Sequence, residues 1–133
     1  MTRVGLKSVA LIVVTFNSVK VLPRFLRAIP DAVSEIDKYK LIVVDNNSED
    51  GTGKYASDQS IVHQVIQLDR NLGYAAGINA GISANPGFDG YFVLNPDIEL
   101  GPGSVGRLLA ALDYPIGIAV PRLTDEFGRL LFS

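Results

Sequence analysis

Apolar and polar positions alternate along this chain in blocks, each block having the length and period of a strand or a helix. Val9 to Thr15 is β-rich and apolar on both of its faces, as a buried parallel strand should be. Leu41 to Val44, Val62 to Leu68 and Tyr91 to Leu94 read as three more strands, and Ile116 to Val120 as a fifth. Between them the period changes to that of a helix. Leu22, Phe25, Leu26 and Ile29 share one helical face, with Pro23 near the helix start and Pro30 closing it. Asp50 to Asp58 reads as a short helix that Ser48 or Asp50 caps. Ala75 to Ser83 is small and apolar enough to pack closely on a sheet, and Pro102 to Leu112 carries Val105, Leu108, Leu109 and Leu112 at helical spacing. Strands alternating with helices predict an α/β fold: an open, mostly parallel, twisted sheet with helices on both faces.

Composition narrows the class. At 133 residues the chain suits one domain, 1–133, and its 47% apolar and 20% charged residues are globular proportions. A net charge of -2 gives no electrostatic case for nucleic acid, and the grouped Arg24 and Arg27 read as one solvated helix face. The absence of cysteine excludes a disulfide framework and any thiolate metal site or nucleophile. The longest apolar run, Val9 to Val14, is far short of the ~20 residues of a membrane span, so a cytoplasmic location is expected.

In sheets of this kind, ligands bind beyond the carboxyl ends of the strands. Those ends carry Thr15-Phe16-Asn17, Asp45-Asn46-Asn47, Asp69-Arg70-Asn71 and Asn95-Pro96-Asp97, all polar. Asp97, just past an apolar strand, can present a lone pair to Mg²⁺ or Mn²⁺ or can cap the Asn-Pro turn. Glu99 reads as solvent-facing. Asp45 can accept from the ring N–H of uracil or thymine; it precedes its turn, so it needs no capping role there, although an Asx-type turn is the alternative. Gly73 and Gly77 permit close backbone approach, the helix after them offers N–H groups to an anion, and Arg70 can pair with a diphosphate. Tight packing on the sheet accounts for Gly77 and Ala80 equally well. Phe16 lies either against a nucleobase or in the core. His63, in mid-strand, is given no role.

Taken in order, Ile12-Val-Val-Thr-Phe-Asn17, Val43-Val-Asp-Asn-Asn-Ser-Glu-Asp-Gly-Thr52, Asn71-Leu-Gly-Tyr-Ala-Ala-Gly-Ile-Asn79 and Leu94-Asn-Pro-Asp97 resemble the inverting GT-A glycosyltransferases of family 2, in particular their rhamnosyltransferase-like branch. The resemblance implies a Rossmann-like GT-A unit that takes a nucleoside-diphosphate sugar, of dTDP or UDP type, as donor. Thr15 and the neighbouring Phe16 and Asn17 would line the nucleotide site, and Asp45 would contact the base. Arg70, Asn71, Gly73 and Asn79 would lie along the nucleotide and sugar. Asp97 would match the last acid of the family's D-x-D element and reach Mg²⁺ or Mn²⁺, with Asn95 standing where the first acid usually does.

The implied reaction is sugar transfer with inversion to a glycan or lipid-linked glycan acceptor, which would put the longer protein at the inner face of a membrane. In the family the general base follows the metal motif at a distance, and Asp113, Asp125 and Glu126 do not match its motif. The base is therefore expected beyond Ser133, and the chain is expected to be truncated: a donor-binding subdomain without the acceptor-binding half, inactive or weakly active alone. Uncovered sheet edge would favour self-association into homo-oligomers. Two rivals remain, a receiver-type signalling domain and a non-catalytic nucleotide-binding module. The receiver reading lacks acids after the first strand and any lysine after Lys54.

Overall fold

The computed structural model describes residues 8–112 and 124–130. Four strands, β1 (Ser8–Thr15), β2 (Lys38–Asp45), β3 (Gln64–Gln67) and β4 (Gly90–Leu94), form one sheet in the order β3-β2-β1-β4. Every described pairing in it is parallel, with Leu11 opposite Leu41, Val13 opposite Leu94 and Val43 opposite Val65. The expected fifth strand, Ile116 to Val120, lies outside the described residues.

Four helices join and follow the strands: α1 (Leu22–Ala32), α2 (Thr52–Ser57), α3 (Tyr74–Ser83) and α4 (Ser104–Ala111). Their placement follows from chain handedness. Moving from β1 to β2 to β3 advances in one direction, so right-handed crossovers put α1 and α2 on the same face. Passing from β3 back across the sheet to β4 reverses the direction and puts α3 on the other face. Two cores result. Val9, Leu11, Val13, Leu41 and Val43 pack against Leu22, Phe25 and Ile29 of α1, Ala56 of α2, and Val105 and Leu109 of α4. The alternate residues Ala10, Ile12, Val14, Ile42 and Val44 pack against α3. Side chains such as Phe25 and Ile29, fully buried, each contribute roughly 1.5–3 kcal/mol by leaving water.

α3 lies very close to the sheet because two residues one turn apart have no side chain. A Cβ on Gly77 would stand 2.8 Å from Val14 Cγ1, and one on Gly81 would stand 2.8 Å from Ile12 Cγ2. Ala80, expected to share this contact with Gly77, packs beside it while Gly81 makes the second close approach.

Several boundaries differ from expectation. Pro30 does not close α1, which continues to Ala32. Proline there removes only its own bond to the preceding turn, and Val33 N–H still donates to the Ile29 carbonyl (3.1 Å). β3 starts at Gln64, two residues late, because Val62 N–H turns back to the Gln59 carbonyl. His63 therefore precedes the strand and has a structural role: its Nδ1 accepts from Leu41 N–H (2.9 Å).

Candidate functional site: the carboxyl edge of the sheet

Parallel register sets Thr15 opposite Asp45 and Asp45 opposite Gln67, one row across three strands at the carboxyl edge. In register, the three side chains share the α1/α2 face, and Asp45 becomes their common acceptor. Its Oδ1 accepts from Thr15 Oγ1 (2.7 Å) and Ser48 Oγ (2.6 Å), and its Oδ2 from Ser48 N–H (2.9 Å) and Gln67 Nε2 (2.9 Å). The residue is 1% exposed. Burial alone would raise its pKa, but the donors from Ser48, Thr15 and Gln67 outweigh it and hold the carboxyl below the usual aspartate value. Asp45 thus takes part in its turn, as the Asx alternative has it: Ser48 N–H folds back onto it.

Ser48 is consequently not the cap of α2. Asp50 serves the helix start instead, accepting from Thr52 N–H (3.0 Å) and Val19 N–H (3.1 Å). These bonds belong to a zipper between the loops after β1 and β2. Asn17 N–H donates to Ser48 Oγ (2.8 Å), Glu49 N–H donates to Asn17 Oδ1 (3.0 Å), and Ser18 N–H donates to Thr52 Oγ1 (2.9 Å). Asn17 and Asn47 adopt left-handed backbone, φ 50° and 63°, which asparagine tolerates better than most residues. Phe16 is 50% exposed at this edge, which discards the core reading for it.

One residue after Asp45 the strand alternation turns a side chain to the opposite face. Asn46, buried, donates from Nδ2 to the Gly73 carbonyl (3.1 Å) and accepts at Oδ1 from Leu72 N–H (3.3 Å). It pins the loop from Asp69 to Gly73 against β2. Within that loop Asn71 Oδ1 accepts from Gly73 N–H (2.9 Å), and Gly73 sits at φ 93°, ψ 170°, backbone that only glycine adopts readily. α3 begins at Tyr74, so its first-turn amides point at the carboxyl edge. Arg70 and Asn71 are exposed beside it. Sequence reasoning misses Asn46 and Gln67. A signal for Asn46 exists in the even-numbered series Ile42, Val44 continuing past the strand; Gln67 has none, because its importance arises from pairing.

Beyond β4, Asn95 and Asp97 are exposed. β4 runs parallel to β1 and β2, so the Asp97 turn and the start of α3 lie at the same carboxyl edge; burial and then the charge of Asp97 raise the Tyr74 pKa. Glu99 is exposed, as expected, and also takes Arg24 Nη2 (2.6 Å) and Nε (2.9 Å) in a surface pair that draws it toward α1. Asn79 stands apart from the rest, on the exposed line of α3 with Ala75 and Ser83 and opposite the buried Gly77 and Gly81. Asp125 accepts from Arg129 Nε (2.7 Å) in a separate turn bridged by Thr124 and Leu130. Ser133, beyond which the general base is expected, lies outside the described residues, as does Asp113.

Among the described residues no group of three or more His, Asp or Glu could hold a metal ion. Asp97 offers one carboxylate and Asn95 a neutral amide oxygen. That donor set fits Mg²⁺ or Mn²⁺ arriving with phosphate oxygens, and does not fit an ion held by protein alone.

Comparison with known proteins bears on the family and the fold. The family model described as Glycosyl transferase family 2 matches residues 10–131. This chain belongs to glycosyl transferase family 2. Its architecture is the GT-A, Rossmann-like fold: over 80% of its length it superposes on 32% of the mannosyltransferase PcManGT from Pyrobaculum calidifontis, in complex with GDP-Man and Mn²⁺, with TM-score 0.70 and 20% identity. TarS 1–349 of S. aureus in complex with UDP-GlcNAc gives TM-score 0.66 and 20% identity, over 86% of this chain and 37% of that one. In sequence, the chain is 30% identical over 131 residues to an N-acetylglucosaminyl-diphospho-decaprenol L-rhamnosyltransferase of Mycobacterium tuberculosis, covering 90% of this chain and 42% of that protein. An undecaprenyl-phosphate mannosyltransferase of Micrococcus luteus is 31% identical over 108 residues, covering 76% of this chain and 42% of the relative. The chain therefore spans about two fifths of the length of these relatives. Membership in this family leaves the receiver-type reading without support. No helix among the described residues is long and apolar enough to cross a membrane.

Proposed function

We propose that residues 1–133 form a single donor-binding subdomain that holds a nucleoside-diphosphate sugar of UDP or dTDP type across the carboxyl edge of the sheet. The full-length protein would transfer the sugar, with inversion, to a lipid-linked glycan at the inner face of a membrane. The observation that carries this is the meeting, at one edge, of a buried carboxylate (Asp45), a helix N-terminus flanked by Arg70, and an exposed carboxylate (Asp97). The rhamnosyl- and mannosyltransferases named above support the acceptor class, since their names specify decaprenol and undecaprenyl substrates.

In this reading Asp45 fixes the base by accepting its ring N–H, with Thr15 and Ser48 holding the carboxylate in place. Phe16, exposed beside them, offers an aromatic face, and Asn17 keeps the two loops together. Arg70, Asn71 and the first-turn amides after Gly73 receive the diphosphate, where the helix dipole favours negative charge. Asp97, aided by Asn95, would hold a Mg²⁺ or Mn²⁺ ion, which when bound neutralises charge developing on the diphosphate leaving group. Asn79 would reach the donor only through its sugar end. The acceptor hydroxyl needs a carboxylate base on the opposite face of the sugar, and that role falls to a part of the protein other than this edge.

Calorimetry with UDP, dTDP, CDP and GDP, with and without Mn²⁺, tests the reading. Binding of UDP or dTDP that strengthens with Mn²⁺ and loses that gain in Asp97→Ala is expected. No binding of any nucleotide would overturn it. Binding without sugar transfer in the full-length protein would favour the non-catalytic module.

A further inference from the structure

All four of the donors on Asp45 come from this chain, and three of them are fixed. Thr15 is fully buried, and both Ser48 groups belong to the same turn, one of them backbone. Gln67 alone is an exposed side chain, reaching Oδ2 from the outermost described strand, β3, while its Nε2 also lies 3.2 Å from the Leu68 carbonyl and 3.4 Å from the Asp45 carbonyl. A nucleobase N–H can therefore reach Asp45 only by taking the place that Gln67 Nε2 occupies.

We propose that Gln67 is a specificity residue for the base: it covers Asp45 when the site is empty and, on binding, moves its amide N–H from Asp45 Oδ2 to the carbonyl oxygen beside the incoming ring N–H. This rests on the donor-site reading above. An exposed carboxamide can make that exchange because donor and acceptor counts balance. The bond from Gln67 to Asp45 is replaced by one from the base to Asp45, and Gln67 gains the adjacent carbonyl. The ligand class selected is a 4-oxopyrimidine, whose ring N–H is flanked by carbonyls. Cytosine presents a lone pair to Asp45, so that contact fails, and its amino group meets Gln67 Nε2 donor to donor unless the carboxamide turns over.

Gly53 tunes this device. Gln67 Oε1 occupies the space a side chain at position 53 would fill, nearer to its Cβ than non-bonded atoms can approach, and Asp45 Oδ2 stands 3.5 Å from that point. The missing side chain thus lets the carboxamide lie flat against α2 and over Asp45.

The test compares UDP with 4-thio-UDP, which keeps the ring N–H and weakens the neighbouring acceptor at position 4, by calorimetry on this chain; any change it makes in the N–H itself is common to the wild type and the variants. The wild-type chain should prefer UDP by roughly fivefold, the worth of one ordinary hydrogen bond. Gln67→Leu should bring that ratio close to one while still binding UDP. Gly53→Ala, which displaces the carboxamide without altering its chemistry, should lower the ratio in the same direction. A ratio unchanged in both variants, with UDP still bound, overturns the role of Gln67 and leaves the donor site standing. Failure of the wild-type chain to bind UDP overturns both.

Discussion

The ends of β2 and β4 look alike in sequence, each an apolar strand followed by an aspartate within a few residues, yet the fold treats them in opposite ways. Asp45 is buried and takes hydrogen bonds from Thr15, Ser48 and Gln67, so its charge is already committed to holding three strand ends and a turn together. Asp97 is exposed, past a proline turn at the end of the outermost described strand, and its charge is one cause, after burial, of the raised Tyr74 pKa. A carboxylate whose lone pairs are satisfied internally positions a ligand through its fixed location. One left in water keeps its binding capacity for a ligand that brings its own positive charge. In the proposed donor site the two aspartates at this edge would divide orientation from charge neutralisation.

Changes that test this division range widely in size. Asp45→Ala leaves buried donors on Thr15 and Ser48 without an acceptor and should cost roughly 3 kcal/mol of unfolding free energy in urea titrations. An effect no larger than that of Asp97→Ala would break the contrast. Gly77→Ala forces a Cβ against Val14 and should cost about 1–3 kcal/mol, lifting the start of α3 away from the edge. Calorimetric diphosphate binding that falls along with stability would tie the helix position to the site. Asn46→Ala removes the link from β2 to the Leu72–Gly73 backbone and should cost about 1–2 kcal/mol, with faster amide exchange at Leu72.

The pH response sharpens the same point. The Asp45 carboxyl titrates lower when folded, so its stabilisation is fully present above the ordinary aspartate value of about 4 and is lost as pH falls through the lowered value. Asp45→Asn should flatten the acid limb of stability below about pH 4. At Asp50 slight burial is outweighed by donors from Thr52 and Val19, so its carboxyl is also held low and should preserve the remainder of that limb. At the small end, Asp97→Ala should change stability by less than about 0.5 kcal/mol, while removing the Mn²⁺-dependent part of nucleotide affinity.

Much of this is legible along the chain. The apolar runs of β1, β2 and β4 and the Leu22, Phe25, Ile29 stripe of α1 announce themselves because burial on a regular element imposes its period on the sequence. Gly77 is readable as a point of close backbone approach; Gly73 is not one, since nothing stands within 4 Å of where its Cβ would be, and its φ of 93° is what requires glycine. Pro30 misleads because a proline near a helix end removes a bond that the end does not need. Phe16 is ambiguous because one aromatic residue in a loop has no period to place it.

By itself, the sequence determined the α/β class, the succession of elements, and the clustering of polar residues at strand ends, since each depends only on residues near one another in the chain. It also carried the family, through short motifs in a set order. Which side chains meet was decided by the tertiary structure. The Thr15–Asp45–Gln67 row exists because β1, β2 and β3 pair in one register; a shift of a single residue would turn each strand's contribution to the other face. Whether an aspartate after a strand is a buried acceptor or an open ligand depends on which neighbours that register delivers, and pairing between distant strands is not written in local pattern.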